Sequence, residues 1–325
     1  MAKIATRVAY GDALKQLMAA DKNIVALDAD LAGSTKGAEA KKVAPERHFD
    51  MGIAEANMMA VAAGLAASGK IAFASTFAMF ATGRAYEQIR NSIAYPRLNV
   101  KICASHAGVS VGEDGASHQC IEDISLMRTI PGMRVIVPCD YNEALQAVKY
   151  AAYQDGPFFV RLGRSGVEEV NDENYVFEFG KGVVLKEGDP DSDVVLVATG
   201  SSVQECLKAH DAMDVKPKVI NIHTIAPIDR ELIEELNKTY KKIITVEDHL
   251  VTGGGHRVVV GADRLHVGHI GQHVAAPVAR GQRLVVVDEV VARCGVGQRG
   301  DAGGPVQDAA RGEDAQVLRP LAAVR

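Results

Sequence analysis

Two histidines, His106 and His118, bracket a glycine-rich turn carrying Glu113 and Asp114 in the run 105–119, SHAGVSVGEDGASHQ. Imidazole takes or gives a proton near neutral pH, and carboxylates orient it. Glycines let the backbone turn tightly around a small polar ligand. Segments rich in Val, Ile and Ala stand on both sides, and a loop of this kind at the end of a buried strand is where α/β proteins place ligand chemistry. Taken alone, the run fits a solvated surface turn as well as a ligand loop, because short motifs carry little information.

Other residues offer chemistry at a distance. Glu55 lies in FDMGIAEAN, at the first turn of an apolar helix. There it either favours the helix N-terminus electrostatically or stands as a poised acid in a strand-to-helix crevice. Phe77 and Phe80 in ASTFAMF are spaced i, i+3, which suits core packing or flat rings stacked beyond a strand end. Arg7, Ser34 and Arg164 fall near element ends. Singly each suits a solvated surface. Together they suit a phosphate, whose oxygens match the guanidinium fork.

The elements that must position these groups alternate along the chain. Residues 6–20 read as a helix with Val8, Leu14, Leu17 and Met18 on its apolar face, and 23–27 as a buried strand. Helix 54–68, strand 71–74, helix 79–93 and strand 100–105 follow, then strand 134–137 after the histidine loop. Asp140 and Glu143 have capping-box spacing at the head of a helix to about 153, and strand 158–161 closes the unit. This alternation predicts an α/β fold, a parallel sheet covered by helices. Gly, Glu, Asp and Asn crowd residues 166–190, which read as a linker with a short hairpin near 177–185. A second, smaller α/β domain spans 191–255: strand 194–198, a helix capped by Ser201 and Gln204, strand 218–222, helix 229–237 and strand 242–246. The domains are thus 1–165 and 191–255.

Composition narrows the classes. The 325 residues are 47% hydrophobic and 24% charged, with net charge −5. That is ordinary for a globular protein and gives no electrostatic case for nucleic acid or an anionic membrane. No apolar run reaches a membrane-spanning length, the N-terminus has no signal-peptide pattern, and the five cysteines form no C-x-x-C pair. These features point to a cytoplasmic protein with reduced thiols. No G-x-G-x-x-G follows the first strand, and there is no Walker loop. Residues 256–325 stand out, containing no Lys, Phe, Tyr or Trp, whereas residues 1–255 hold 17 Lys and all 16 aromatics. Roughly four or five of each would be expected in a segment of that length. A coding-frame shift near Gly255 accounts for this better than a divergent or disordered tail. His266, His269 and His273 have helical metal-ligand spacing (i, i+3, i+7) but fall inside that anomalous segment, so no metal site is expected from them.

Glu55 in MGIAEANM, the ring pair in STFAMF, SHAGVSVGEDGASHQ and the later TVEDH together resemble the C-terminal portion of transketolase. They resemble most the separate C-terminal subunit of split transketolases, from about Ala5 to Gly255. The resemblance implies a pyrimidine-binding domain followed by a transketolase C-terminal-like domain, and thiamine diphosphate as cofactor. Glu55 would then hydrogen-bond N1′ of the aminopyrimidine and favour the imino tautomer that removes the thiazolium C2 proton. Phe80 would stack on the pyrimidine with Phe77 beside it, and Asp30 would face the thiazolium. His106 and Asp114 would bind donor hydroxyls, and His118 would contact the substrate or the 4′-amino group. Arg7, Ser34 and Arg164 match positions that hold a sugar phosphate. The implied reaction moves a two-carbon ketol unit from a ketose phosphate to an aldose phosphate.

Three departures accompany the resemblance. Gly83 replaces an expected third aromatic, and Ala107 stands where many relatives are acidic. The Gly-Asp-Gly…Asn motif that binds Mg²⁺ and the diphosphate does not occur in the chain. The implied partner is therefore an N-terminal transketolase subunit that holds Mg²⁺ and completes a heterotetramer with shared sites. A deoxyxylulose-phosphate synthase-like or 2-oxoacid dehydrogenase β-type subunit, or a non-catalytic assembly partner, are the alternatives.

Overall fold

Helix α1 (Thr6–Ala20) turns Ala9, Tyr10, Ala13, Leu14, Leu17 and Met18 inward, with Val8 only half-buried. Each fully buried large side chain contributes roughly 2 kcal/mol of hydrophobic stabilisation. In the computed structural model, which describes residues 3–250 and 253–254, this face packs on α6 (Tyr141–Ala152) against one side of a seven-stranded sheet. Helix α3 (Glu55–Ala67) covers the other side with Met58, Met59, Ala62, Ala63 and Ala66. Its alanines let the helix approach the strands closely.

The sheet comprises β1 (Ile24–Asp28), β2 (His48–Asp50), β3 (Ile71–Ser75), β4 (Val100–Ala104), β5 (Arg134–Ile136), β6 (Phe158–Arg161) and β10 (Thr224–Ala226). Their order is β10-β5-β6-β4-β3-β1-β2. Every neighbouring pair is parallel except β10–β5. Strands β1 and β4 are buried along their whole length, as a sheet covered on both faces requires. The second sheet, ordered β11-β8-β9-β7, contains β7 (Val183–Lys186), β8 (Val194–Ala198), β9 (Lys218–Asn221) and β11 (Lys242–Val246), with β7 antiparallel. Helices α7 (Ser202–Ala212) and α8 (Arg230–Thr239) belong to this half. The fold is thus α/β with a mostly parallel large sheet and a smaller second one, as the sequence predicts.

Three local expectations need correction, and the edge strand β10 was not foreseen. No hairpin forms near 177–185: β7 pairs with β9 across the domain, because the hydrophobic Val183–Lys186 run finds its partner in the sheet. Strand β10 leaves the second half to edge the first sheet, a long-range pairing that a three-residue run cannot announce. Ser201 is already helical at φ −61° and makes no cap bond, while Gln204 Nε2 donates to the Cys139 and Glu168 carbonyls at 2.8 and 3.1 Å. Residues 79–93 do not form a regular α-helix. π-helical turns at Phe80–Arg84 and Ile89–Ala94 flank the short α4 (Tyr86–Gln88), with i→i+5 bonds from Ala85 to Phe80 and from Tyr95 to Arg90. Such turns often mark functional segments.

The helix cap at Asp140 does form. Its Oδ1 accepts the Glu143 amide at 2.9 Å, but Glu143 reaches back to the Cys139 amide rather than to Asp140. The segment after β6 is held, not loose: Ile4 and Val167 exchange two backbone bonds of 3.1 Å, and Asp140 Oδ2 accepts the Val170 and Asn171 amides.

Candidate active site

Parallel strands deliver their C-terminal ends to one edge of a sheet, and the candidate residues lie there. Asp30 follows β1, Glu55 follows β2, Phe77 follows β3, His106 follows β4 and Arg164 follows β6. Strands β3 and β4 stay paired one step past their ends: the Ser105 amide donates to Thr76 at 3.1 Å and the Ala78 amide to Ser105 at 2.7 Å. That register sets Phe77 beside His106, their rings stacked 3.7 Å apart. Phe80 stacks with Phe77 at 5.7 Å, and His118 meets Phe80 edge-on at 5.3 Å. Four rings that are distant in sequence therefore form one cluster.

An acid closes one end of it. Glu55 is 2% exposed, and both carboxylate oxygens accept from Arg84 Nη1, at 2.8 and 2.9 Å. The Arg84 guanidinium lies 4.6 Å over the Phe80 ring, a cation–π contact. Arg84 is a residue that the sequence reading missed, although its i+4 spacing from Phe80 on a helical segment was a usable signal. At Gly83 a Cβ would meet the Met79 terminal methyl at 2.3 Å, so Met79 fills space that a larger residue at 83 would claim.

Charges of both signs close the other end. His106 Nδ1 pairs with Ser105 Oγ at 2.9 Å, and its Nε2 lies 3.9 Å from Asp114 Oδ2. Burial first, then the Arg7 charge, pushes the His106 imidazole down to about 4, against the pull of Asp114. It is a neutral donor–acceptor at physiological pH. Arg164 Nε binds Asp114 at 3.1 Å and its Nη2 binds Glu113 at 2.7 Å. Burial and the nearby Arg164 charge lower the Arg7 pKa. Its Nη1 donates to the Ser34 carbonyl, and its buried Nε has no protein partner. The orphaned Arg7 Nε, beside a second guanidinium that is held by two carboxylates, is the kind of donor an anion could take up. Ser34 enters this group through its backbone carbonyl.

A continuous line of contacts thus runs Glu55–Arg84–Phe80–Phe77–His106–Asp114–Arg164, with His118 on its flank. Asp30 is not part of that line: it is exposed, and its amide donates to Asp50 Oδ1 at 3.1 Å. Asp30 and His106 both take a left-handed backbone, with φ of 60°, a conformation costly for non-glycine residues that recurs at functional sites. Among the described residues no His/Cys/Asp/Glu group has metal-site geometry. His266, His269 and His273 lie outside the described residues. A buried carboxylate beside flat rings suits an aminopyrimidine, which needs an acid for a ring nitrogen and a face to stack on.

Comparison with known proteins identifies the domains that carry these residues. The model of the transketolase pyrimidine-binding domain matches residues 2–169, and that of the transketolase C-terminal domain matches 180–269. A Methanocaldococcus jannaschii protein, provisionally assigned as a transketolase C-terminal section, is 48% identical over 253 residues, covering 76% of this chain and 78% of that one. A 6-deoxy-6-sulfo-D-fructose transketolase subunit of a Clostridium species is 39% identical over 251 residues, covering 76% and 77%. The solved structure of a split-gene transketolase, an inactive beta4 tetramer, is 46% identical with a TM-score of 0.75, covering 88% of this chain and 90% of that one.

Proposed function

The chain belongs to the transketolase family, and we propose that it is the C-terminal subunit of a split transketolase, active only with an N-terminal partner subunit. The observation that carries this reading is the unbroken line from the buried Glu55 acid, through the rings, to the Arg7–Arg164 pair. It offers an acid for a pyrimidine, a flat face and a terminal-anion grip in sequence. Thiamine diphosphate, when bound, supplies the carbanion chemistry of two-carbon ketol transfer from a ketose phosphate to an aldose phosphate.

The residues of this chain supply the rest. Glu55 holds a proton at the pyrimidine edge once Arg84 gives way, and Phe80 with Phe77 stacks on the ring. His106 and Asp114 bind donor hydroxyls, His118 reaches the substrate or the amino group, and Asp30 borders the thiazolium side. Arg7, steadied by the Ser34 carbonyl, and Arg164 grip the terminal phosphate of the sugar, with the Ser34 hydroxyl as a further donor. Mg²⁺ and the diphosphate fall to the partner subunit, in a cytoplasmic heterotetramer. The related tetramer of one subunit type is described as inactive, which supports that dependence. The domains are placed at 1–165 and 191–255, joined by a segment 166–190 whose β7 (Val183–Lys186) adds an edge strand to the second sheet. The composition of 256–325 supports a shifted reading frame there, to be checked by translating the gene in the other frames past codon 255.

Co-expression with an N-terminal transketolase subunit, then assay with xylulose 5-phosphate and ribose 5-phosphate, tests the function. Ketol transfer should require both chains, and Glu55→Ala should cut it at least about 100-fold. Turnover by this chain alone would sink the partner requirement. Turnover of pyruvate instead of the ketose phosphate would favour a 2-oxoacid dehydrogenase or deoxyxylulose-phosphate synthase type, and no activity with intact assembly would favour a silent partner.

A further inference from the structure

The backbone just after His106 is gripped by a carboxylate from the other domain. Asp248 lies two residues past β11. Its Oδ1 accepts the Val109 amide at 3.1 Å, and its Oδ2 stands 3.5 Å from Ser110 Oγ. Gly108 takes φ +79°, and a Cβ there would sit 1.8 Å from Asp248 Oδ2. The carboxylate therefore occupies the place of a side chain at 108. Gly108 and Cys120 also exchange backbone bonds of 2.7 and 3.1 Å, closing the base of the histidine loop beside this contact.

Asp248 is itself fixed. Its carbonyl accepts Arg161 Nη2 at 2.7 Å, while Arg161 Nε, on the last residue of β6, donates to the buried Asp123 at 2.7 Å. The Leu250 amide donates to Ile121 at 2.8 Å, and Arg128 Nη1 donates to the Gly253 carbonyl at 2.8 Å. The strand end of the second domain is thus strapped across α5 (Asp123–Arg128) with its carboxylate aimed at the loop.

We propose that Asp248 is a positioning residue for donor binding. It holds residues 108–110 so that His106 keeps its left-handed backbone and its ring stays on Phe77, with Asp114 in reach. The second domain places no side chain in the Glu55–Arg164 line among the described residues, and it acts on that line through this carboxylate. The inference rests on the reading of the histidine loop as the donor-binding wall.

Two measurements separate the clamp from that reading. Amide hydrogen exchange of the full chain alone, followed on peptides covering 105–119, should speed up at least about tenfold in Asp248→Ala. Asp248→Asn, which keeps the acceptor and loses the charge, should fall between wild type and alanine. Peptides from β1 and β3 should not change. Exchange at 105–119 equal to wild type in Asp248→Asn and Asp248→Ala overturns the clamp; if the alanine variant does not fold, the asparagine comparison still decides it. In the assembled enzyme, Asp248→Ala should raise the KM of the ketose donor about tenfold and leave kcat within about twofold, with partial recovery in Asp248→Asn. Faster exchange with an unchanged donor KM overturns Asp248's role in donor binding and the donor-wall reading, while leaving the clamp itself in place.

Discussion

Removing the charge of Arg84 should cost more stability than removing the charge of Glu55, although the two form one ion pair. Glu55 is 2% exposed, whereas the Arg84 side chain is 52% exposed. Arg84→Met keeps an apolar cover over Phe80 and strands a carboxylate that water reaches poorly. An uncompensated buried charge costs about 3–5 kcal/mol when burial is complete. Water on the Arg84 side and the amides at the α3 N-terminus recover about half of that, leaving a loss of about 2 kcal/mol. Glu55→Gln leaves a guanidinium that rehydrates, at under about 1 kcal/mol. At about 2–4 °C per kcal/mol for a domain of this size, thermal midpoints of the chain at pH 7.5 should fall by about 4–8 °C for the first variant and by at most about 4 °C for the second. In the Glu55→Gln background, Arg84→Met should cost less than about 0.5 kcal/mol. Equal losses for the two single variants, or additive losses in the pair, would refute the assignment of Arg84 as the counterion of Glu55.

Two further outcomes follow from burial. His48, His106 and His223 are each pushed down to about 4, chiefly by burial. The unfolded chain, with ordinary histidines, therefore binds more protons between pH about 6.5 and 4. Stability is complete above that window and falls as pH drops through it, by on the order of 1 kcal/mol for each histidine at pH 5 once partial hydration and, at His48, the Asp28 carboxylate 3.2 Å away offset part of the shift. Urea midpoints measured from pH 7.5 to 5 should decline, and a flat profile would contradict the neutral buried imidazoles. Asp140→Ala removes the α6 cap and frees the Val170 and Asn171 amides that Oδ2 accepts. Non-additive loss of these bonds should cost about 3 kcal/mol in urea unfolding. A loss under about 1 kcal/mol would show that the cap and crossover bonds are dispensable.

Periodicity and composition determined most, not all, of the strand and helix sequence of the chain. Strands β1, β3, β4, β6, β8, β9 and β11 were legible because buried parallel strands are continuous apolar runs, and α1, α3 and α6 because their inward faces recur at helical spacing. Residue types also marked the chemistry: an acid, a ring pair, a two-histidine loop and separated arginines. What the sequence could not determine was anything resting on contact between distant segments. The pairing of β7 with β9 and of β10 with β5 depends on which edge is open when the sheets assemble, not on local propensity. Arg84, at the end of the π-turn Phe80–Arg84, meets Glu55 across 29 residues of chain, a contact that local side-chain spacing does not dictate. Asp248 reads in sequence as one more polar residue past a strand. Tertiary structure makes it a clamp, because the second domain folds back to set that carboxylate where Gly108 leaves room.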